Sequence, residues 1–134
     1  VAEQLDELQA AIYSALAGDS ALVAVVGARI YDRVPVHATY PFVSFGQVVT
    51  APWSGDAFEG AETFWTVDTW SRAGGRVELS AMMTRVHAVL HDAALPLSTL
   101  SLVSSRLSDG RVLPDPDNET LHGVQRFRIL TQHT

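Results

Sequence analysis

Cysteine is missing from the 134 residues, and so is lysine. Without cysteine there is no disulfide framework, no thiolate zinc site and no cysteine nucleophile. Without lysine, all nine basic residues are arginines; they stand against fifteen Asp and Glu, for a net charge of −6. Free DNA- and RNA-binding domains work by neutralising phosphates, so this balance argues against one. Long apolar runs are missing too. The longest, residues 21–26, is far too short to cross a bilayer. Glu3, Asp6 and Glu7 near the start are the opposite of a basic signal region. The expectation is a protein that stays soluble where it is made, with no membrane association. What is present is enough for a core: 47% apolar residues and 18% charged, in a length that fits one domain, residues 1–134.

Leu5, Leu8, Ile12 and Leu16 recur at helical spacing, with Asp6 and Glu7 at the positive end of the helix dipole. Gly18 stops that helix. Asp19 or Ser20 caps a second, short helix that ends at Gly27. Residues 29–33 read as a short extended piece. Residues 42–49 read as a strand, 50–61 as a twelve-residue loop containing Pro52, Gly55 and Gly60, and 62–71 as a second strand. In that strand Trp65, Val67 and Thr69 share the drier face, while Phe64 and Trp70 share the wetter one. A helix over residues 76–93 carries the stripe Leu79, Met82, Met83, Val86, Leu90 and Ala93. Residues 100–109 form a third strand, Asp109-Gly110 signals a turn, and 114–119 form an acidic turn. The last strand, 121–131, puts Phe127 and Ile129 on one face and Arg126 and Arg128 on the other. Grouped rather than alternating elements predict an α+β fold. Its sheet is four-stranded and mostly antiparallel, covered by the long helix and the N-terminal helix as a two-layer sandwich.

No constellation for catalysis emerges, and no cofactor is expected. His87 and His91 lie four apart on one helical face, but the Glu of a zinc-protease HExxH is absent. A metal there needs a third ligand such as Asp92 or His122; two polar residues on the outer face of a helix is the simpler reading. Asp115, Asp117 and Glu119 begin like a calcium loop, but Thr120 and Arg126 stand where Gly and Glu are required. Ser44 lacks the first glycine of a nucleophile elbow. Gly74-Gly75 before a helix is a strand-to-helix corner rather than a phosphate loop.

Aromatic residues are harder to assign to a core. Trp53 and Phe58 fall in the Pro/Gly-rich loop beside Asp56 and Glu59. Either the loop packs its rings on its own domain, or these four residues form a contact loop that a partner buries. A long loop of this kind is expected to be mobile until docked. Phe64, Trp70, Arg126 and Arg128 are candidates for a subunit interface.

Several short stretches occur in a telling order. Leu8-Gln9-Ala10-Ala11-Ile12-Tyr13 leads to Arg29-Ile30-Tyr31-Asp32, Val34-Pro35 and Tyr40-Pro41-Phe42-Val43. Trp70-Ser71-Arg72, Gly75-Arg76, His122-Gly123-Val124 and Arg126-Phe127-Arg128 follow. Nearly the whole chain thereby resembles the small tail-terminator, or tail-completion, proteins of long-tailed siphovirus-like bacteriophages, prophages and gene transfer agents. The resemblance implies a non-enzymatic structural protein in the neck of a virion or virus-like particle, made in the bacterial cytoplasm. It implies a homo-oligomeric ring, six-fold, that caps the tail tube protein and meets the head-side stopper or connector. DNA passes through such a ring without specific binding. Another neck role, as head–tail stopper or adaptor, is the alternative; a small-molecule enzyme is a more distant one.

Overall fold

The computed structural model describes residues 5–56 and 59–133. Helix α1 (Leu5–Ala17) buries Leu8, Ala11, Ile12 and Leu16, the face set by its sequence spacing. Helix α2 (Ser20–Val26) starts where the Asp19 carboxylate accepts the Leu22 N–H at 3.0 Å. It ends at Gly27, whose φ of 59° favours glycine. Strands β1 (Ile30–Tyr31), β2 (Phe42–Pro52) and β3 (Gly60–Ser71) follow, then helix α3 (Val77–Leu90) and strands β4 (Leu100–Pro114) and β5 (Leu121–His133).

The sheet has five strands, in the order β1-β2-β3-β5-β4, where four were expected. The fifth is β1, the extended piece at residues 29–33. It is a two-residue strand that pairs parallel with β2 through Ile30↔Val43 and Tyr31↔Ser44. Every other pairing is antiparallel. All three helices lie on one face. There α3 sets Met82, Val86 and Leu90 against Trp65, Val67, Phe127 and Ile129 in a core that also takes α1 and α2, and its first turn buries Leu79 as well. The expected α+β class and helix-covered sheet hold. The opposite face of the sheet has no layer over it among the described residues.

Three boundaries differ from the sequence reading, the first being the end of α3: the helix expected to run to residue 93 stops at Leu90, where His91 turns extended and leaves Ala93 beyond it. The expected twelve-residue loop is shorter, because Thr50↔Thr63, Ala51↔Glu62 and Pro52↔Ala61 continue the ladder and leave only residues 53–59 between strands. Pro52 is tolerated because it ends its strand on the sheet's open side. The Asp109-Gly110 turn is not formed. Both residues stay in β4, paired with Arg126 and Gln125. The chain reverses instead at residues 115–120, where Asp117 accepts the N–H groups of Glu119 and Thr120 at 2.9 Å each.

β2 carries a bulge between Phe45 and Val48. Gly46 sits in it, and any Cβ there would lie 2.4 Å from Asp68 Oδ2. Only glycine lets the Asp68 carboxylate lie over that backbone.

Candidate interaction surface

Period two along β3 and β5 sorts the residues of the uncovered face. Phe64 lies opposite Arg128, Thr66 opposite Arg126, and Trp70 opposite His122. The Arg126 guanidinium lies 4.4 Å over the Phe64 ring and 4.0 Å from Asp109. Arg128 bonds Glu62 at 2.5 Å. Of the four expected interface residues, Phe64, Arg126 and Arg128 are therefore neighbours. Trp70 lies six residues further along β3, about 20 Å away.

Trp70 belongs to a separate aromatic group at that end of the sheet. It stacks on His122 at 3.8 Å with planes 8° apart, and on buried Phe42 at 6.0 Å. Tyr31 and Tyr40 pack on Phe42 from the other side. The indole N–H donates to Ser44 Oγ at 3.0 Å, and His122 Nε2 meets Asp68 Oδ1 at 2.8 Å. Arg72 covers Tyr40 at 4.1 Å while donating to Thr120 Oγ1 and reaching Asp117. Backbone donors from Glu119 and Thr120, with the Thr120 hydroxyl, hold the Asp117 carboxyl well below the usual range, at about 2. The expected acidic turn is thus a self-capped corner: its central carboxylate is spent on its own backbone. Ser44 is buried and bonded to Trp70, a strand serine as read.

The β2–β3 connection places Asp56 and Glu59 exposed at its tip. Trp53 is half-buried; its main-chain N–H donates to the Gly60 carbonyl at 2.9 Å and its ring lies against Gly60. Phe58 lies outside the described residues.

His87 and His91 do stack, with centroids 4.6 Å apart. His91 Nδ1 accepts the Leu107 N–H at 2.9 Å, and His122 lies on the far face of the sheet. Among the described residues no group of three or more His, Asp or Glu is placed to hold a metal ion. No single helix among them is long and apolar enough to cross a membrane.

Sequence reasoning missed a groove of about 480 Å³ between α3 and β4, lined by Arg76, Leu79, Met83, His87, Val112 and Gln125 among others. Local spacing carries no signal for it, because it needs Val112 of β4 and Gln125 of β5 brought beside α3.

The family model described as "Tail completion protein gp17" matches residues 10–132. Among solved structures, the chain is similar to one in the "Virion of native gene transfer agent (GTA) particle", with 27% identity, a TM-score of 0.88 and 96% of each chain covered. A comparison with curated proteins gives no match.

Proposed function

The chain belongs to the tail completion protein family, and from that premise we propose that it is a structural component of a phage-like particle that ends the tail tube as a ring and joins it to the neck. The observation that carries this is the family match over residues 10–132; the fold shared with a chain of a gene transfer agent virion supports it. On this reading six copies close the ring, the head-side connector docks on one rim and the tail tube protein on the other. The tip residues Trp53, Asp56, Phe58 and Glu59 form the partner-contact loop, docking on a neighbouring copy or on the tail tube. Phe64, Trp70, Arg126 and Arg128 lie towards neighbouring copies.

The charge balance suits such a ring. Fifteen carboxylates against nine arginines, with no lysine, favour a lumen that repels DNA and lets it slide. Arginine's planar fork is also better suited than lysine to holding a carboxylate on a neighbouring copy.

Native mass spectrometry and negative-stain imaging of the purified chain, alone and with tail tubes, test this. The expected result is a mass six times that of the 14.5 kDa chain, and rings seated on tube ends. A chain that stays monomeric at every concentration and ignores tail tubes overturns the reading.

A further inference from the structure

β4 is the long edge strand of the sheet, and its outer side is not uniform. The middle is closed. The Asp92 N–H donates to the Ser105 carbonyl at 2.6 Å, and the Leu107 N–H donates to His91 Nδ1 at 2.9 Å. The end of α3 thereby takes the main-chain groups that would recruit another strand. Past the bulge between Leu107 and Asp109 the edge opens. Among the described residues no strand pairs with the outer side of 108–113, and Ser108, Asp109, Arg111 and Leu113 are exposed. An open edge of this kind is a template for strand addition.

The α3/β4 groove runs beside this open stretch. Gly110 pairs with Gln125 beside it and brings no side chain to the groove. At the groove floor Gln125 Nε2 donates to the Met83 carbonyl at 3.0 Å, while the buried Gln125 Oε1 has no donor among the described residues.

The same chain carries the complementary edge. β1 covers β2 only at Val43 and Ser44, so residues 47–52 have no strand on the side away from β3 among the described residues. Gln47, Val49 and Ala51 are exposed there. The hairpin that continues from this edge carries Asp56 and Glu59 exposed at its tip, and no arginine lies between residues 47 and 71. The receiving side carries Arg76 on the groove wall and Arg111 on the open strand, neither in an ion pair among the described residues.

On the premise that copies of this chain form a ring, we propose that the β2 edge and acidic hairpin of one copy dock on the 108–113 edge and α3/β4 groove of the next. Adjacent sheets then join side by side. The contact uses two different patches, the heterologous geometry that a closed ring requires. The incoming strand brings main-chain N–H and C=O groups to the open edge of β4, and its carboxylates meet Arg76 and Arg111.

The absence of native cysteine makes a direct test available. Val49→Cys or Ala51→Cys is combined with Arg111→Cys or Leu113→Cys, giving four pairings, all on the face away from the helices. Within one chain β2 and β4 are separated by β3 and β5, about 14 Å at ~4.8 Å per strand. That is beyond disulfide reach of about 7 Å between Cα atoms, so any disulfide joins two copies. The expected result is a reducible covalent ladder from at least one pairing, ending at the ring size, while single-cysteine variants stop at dimers. Arg76→Glu with Arg111→Glu is expected to weaken assembly at least tenfold, and Asp56→Arg with Glu59→Arg to restore it. Rings that assemble with no ladder from any pairing overturn the docking and leave the ring reading standing. An unaltered chain that never assembles overturns the ring reading, and the docking with it. Alkylation of the Arg111→Cys thiol blocked by tail tubes but not by ring assembly assigns this edge to the tube protein, and overturns the docking between copies.

Discussion

Arg85 on α3 holds Asp19 at the start of α2 through two hydrogen bonds, Nε to Oδ2 at 3.0 Å and NH2 to Oδ1 at 2.7 Å. Asp19 Oδ2 also accepts the Leu22 N–H, so one carboxylate caps a helix and ties it to another 66 residues away. The Arg85 hydrogen bond, then the Leu22 N–H and the Arg85 charge, hold the Asp19 carboxyl below its ordinary value against the opposing effect of burial. Asp19→Ala is expected to cost about 1–2 kcal/mol, the usual range for a lost cap. Asp19→Asn keeps a capping oxygen and is expected to cost less. Chemical denaturation of the two variants checks the order; equal losses show that the ion pair, not the cap, carries the effect.

A dependence on pH follows from the same carboxylate and two others. Glu7 is lowered chiefly by the Thr99 hydroxyl, with backbone N–H groups of Ser98, Thr99 and Leu100 adding to it. Asp117 is lowered to about 2. A folded value below the unfolded one gives stability that is complete above the unfolded pKa and is lost as pH falls through the folded one. The melting temperature is therefore expected to be flat on this account above about pH 5 and to fall between there and pH 2. Asp117→Asn is expected to flatten the lower part of that fall. An unchanged slope places the acid sensitivity elsewhere.

Regular periodicity made much of the fold legible. The stripe of α1, that of α3 as far as Leu90, the Asp19 cap and the alternation along β3 and β5 are local patterns, and each folds as its spacing indicates. Phe64, Arg126 and Arg128 meet because strand alternation alone puts them on one face. What needed tertiary pairing was hidden. Ile30–Tyr31 is too short to read as a strand until Val43 and Ser44 are beside it. Asp109-Gly110 carries turn chemistry that β5 overrides by continuing to pair. The Trp70–His122–Asp68 cluster joins residues up to 54 positions apart, and no spacing rule reaches that far.

Gly46 and Asp68 provide a test of the β2 bulge. A methyl group at position 46 would lie 2.4 Å from Asp68 Oδ2 and 3.2 Å from Thr66 Cγ2. Asp68 cannot swing aside without leaving His122, its partner at 2.8 Å. Gly46→Ala is expected to destabilise by about 1–3 kcal/mol, as overpacking does. In an Asp68→Ala background the same change is expected to cost markedly less, because the clashing oxygen is gone. A double-mutant cycle by denaturant unfolding measures the coupling. Additive losses would mean that backbone geometry, not the carboxylate, demands glycine here.

Trp53 separates a folding role from a docking role at the β2–β3 tip. It is half-buried against Gly60, yet it stands outside the core cluster that α1, α2 and α3 build on the sheet. Asp56 and Glu59 beside it are exposed. A large ring flanked by carboxylates on a short connection is the composition of an anchor with a solvated rim. Trp53→Ala is expected to destabilise by about 2–4 kcal/mol, since a partly buried ring outside the core is lost, and to leave the chain folded. On the proposed reading it weakens ring assembly or association with tail tubes at least tenfold, or about 1.4 kcal/mol, through faster dissociation. Asp56→Asn with Glu59→Gln acts on the rim instead, so its effect is expected in the association rate and its salt dependence. Thermal melting and surface-based binding kinetics on the same preparations distinguish the two roles. Unfolding of Trp53→Ala would make the ring part of the domain's own packing. Normal folding with unchanged assembly and tube binding would remove the tip from the contact and leave the rim of the ring to be sought on another edge of the sheet.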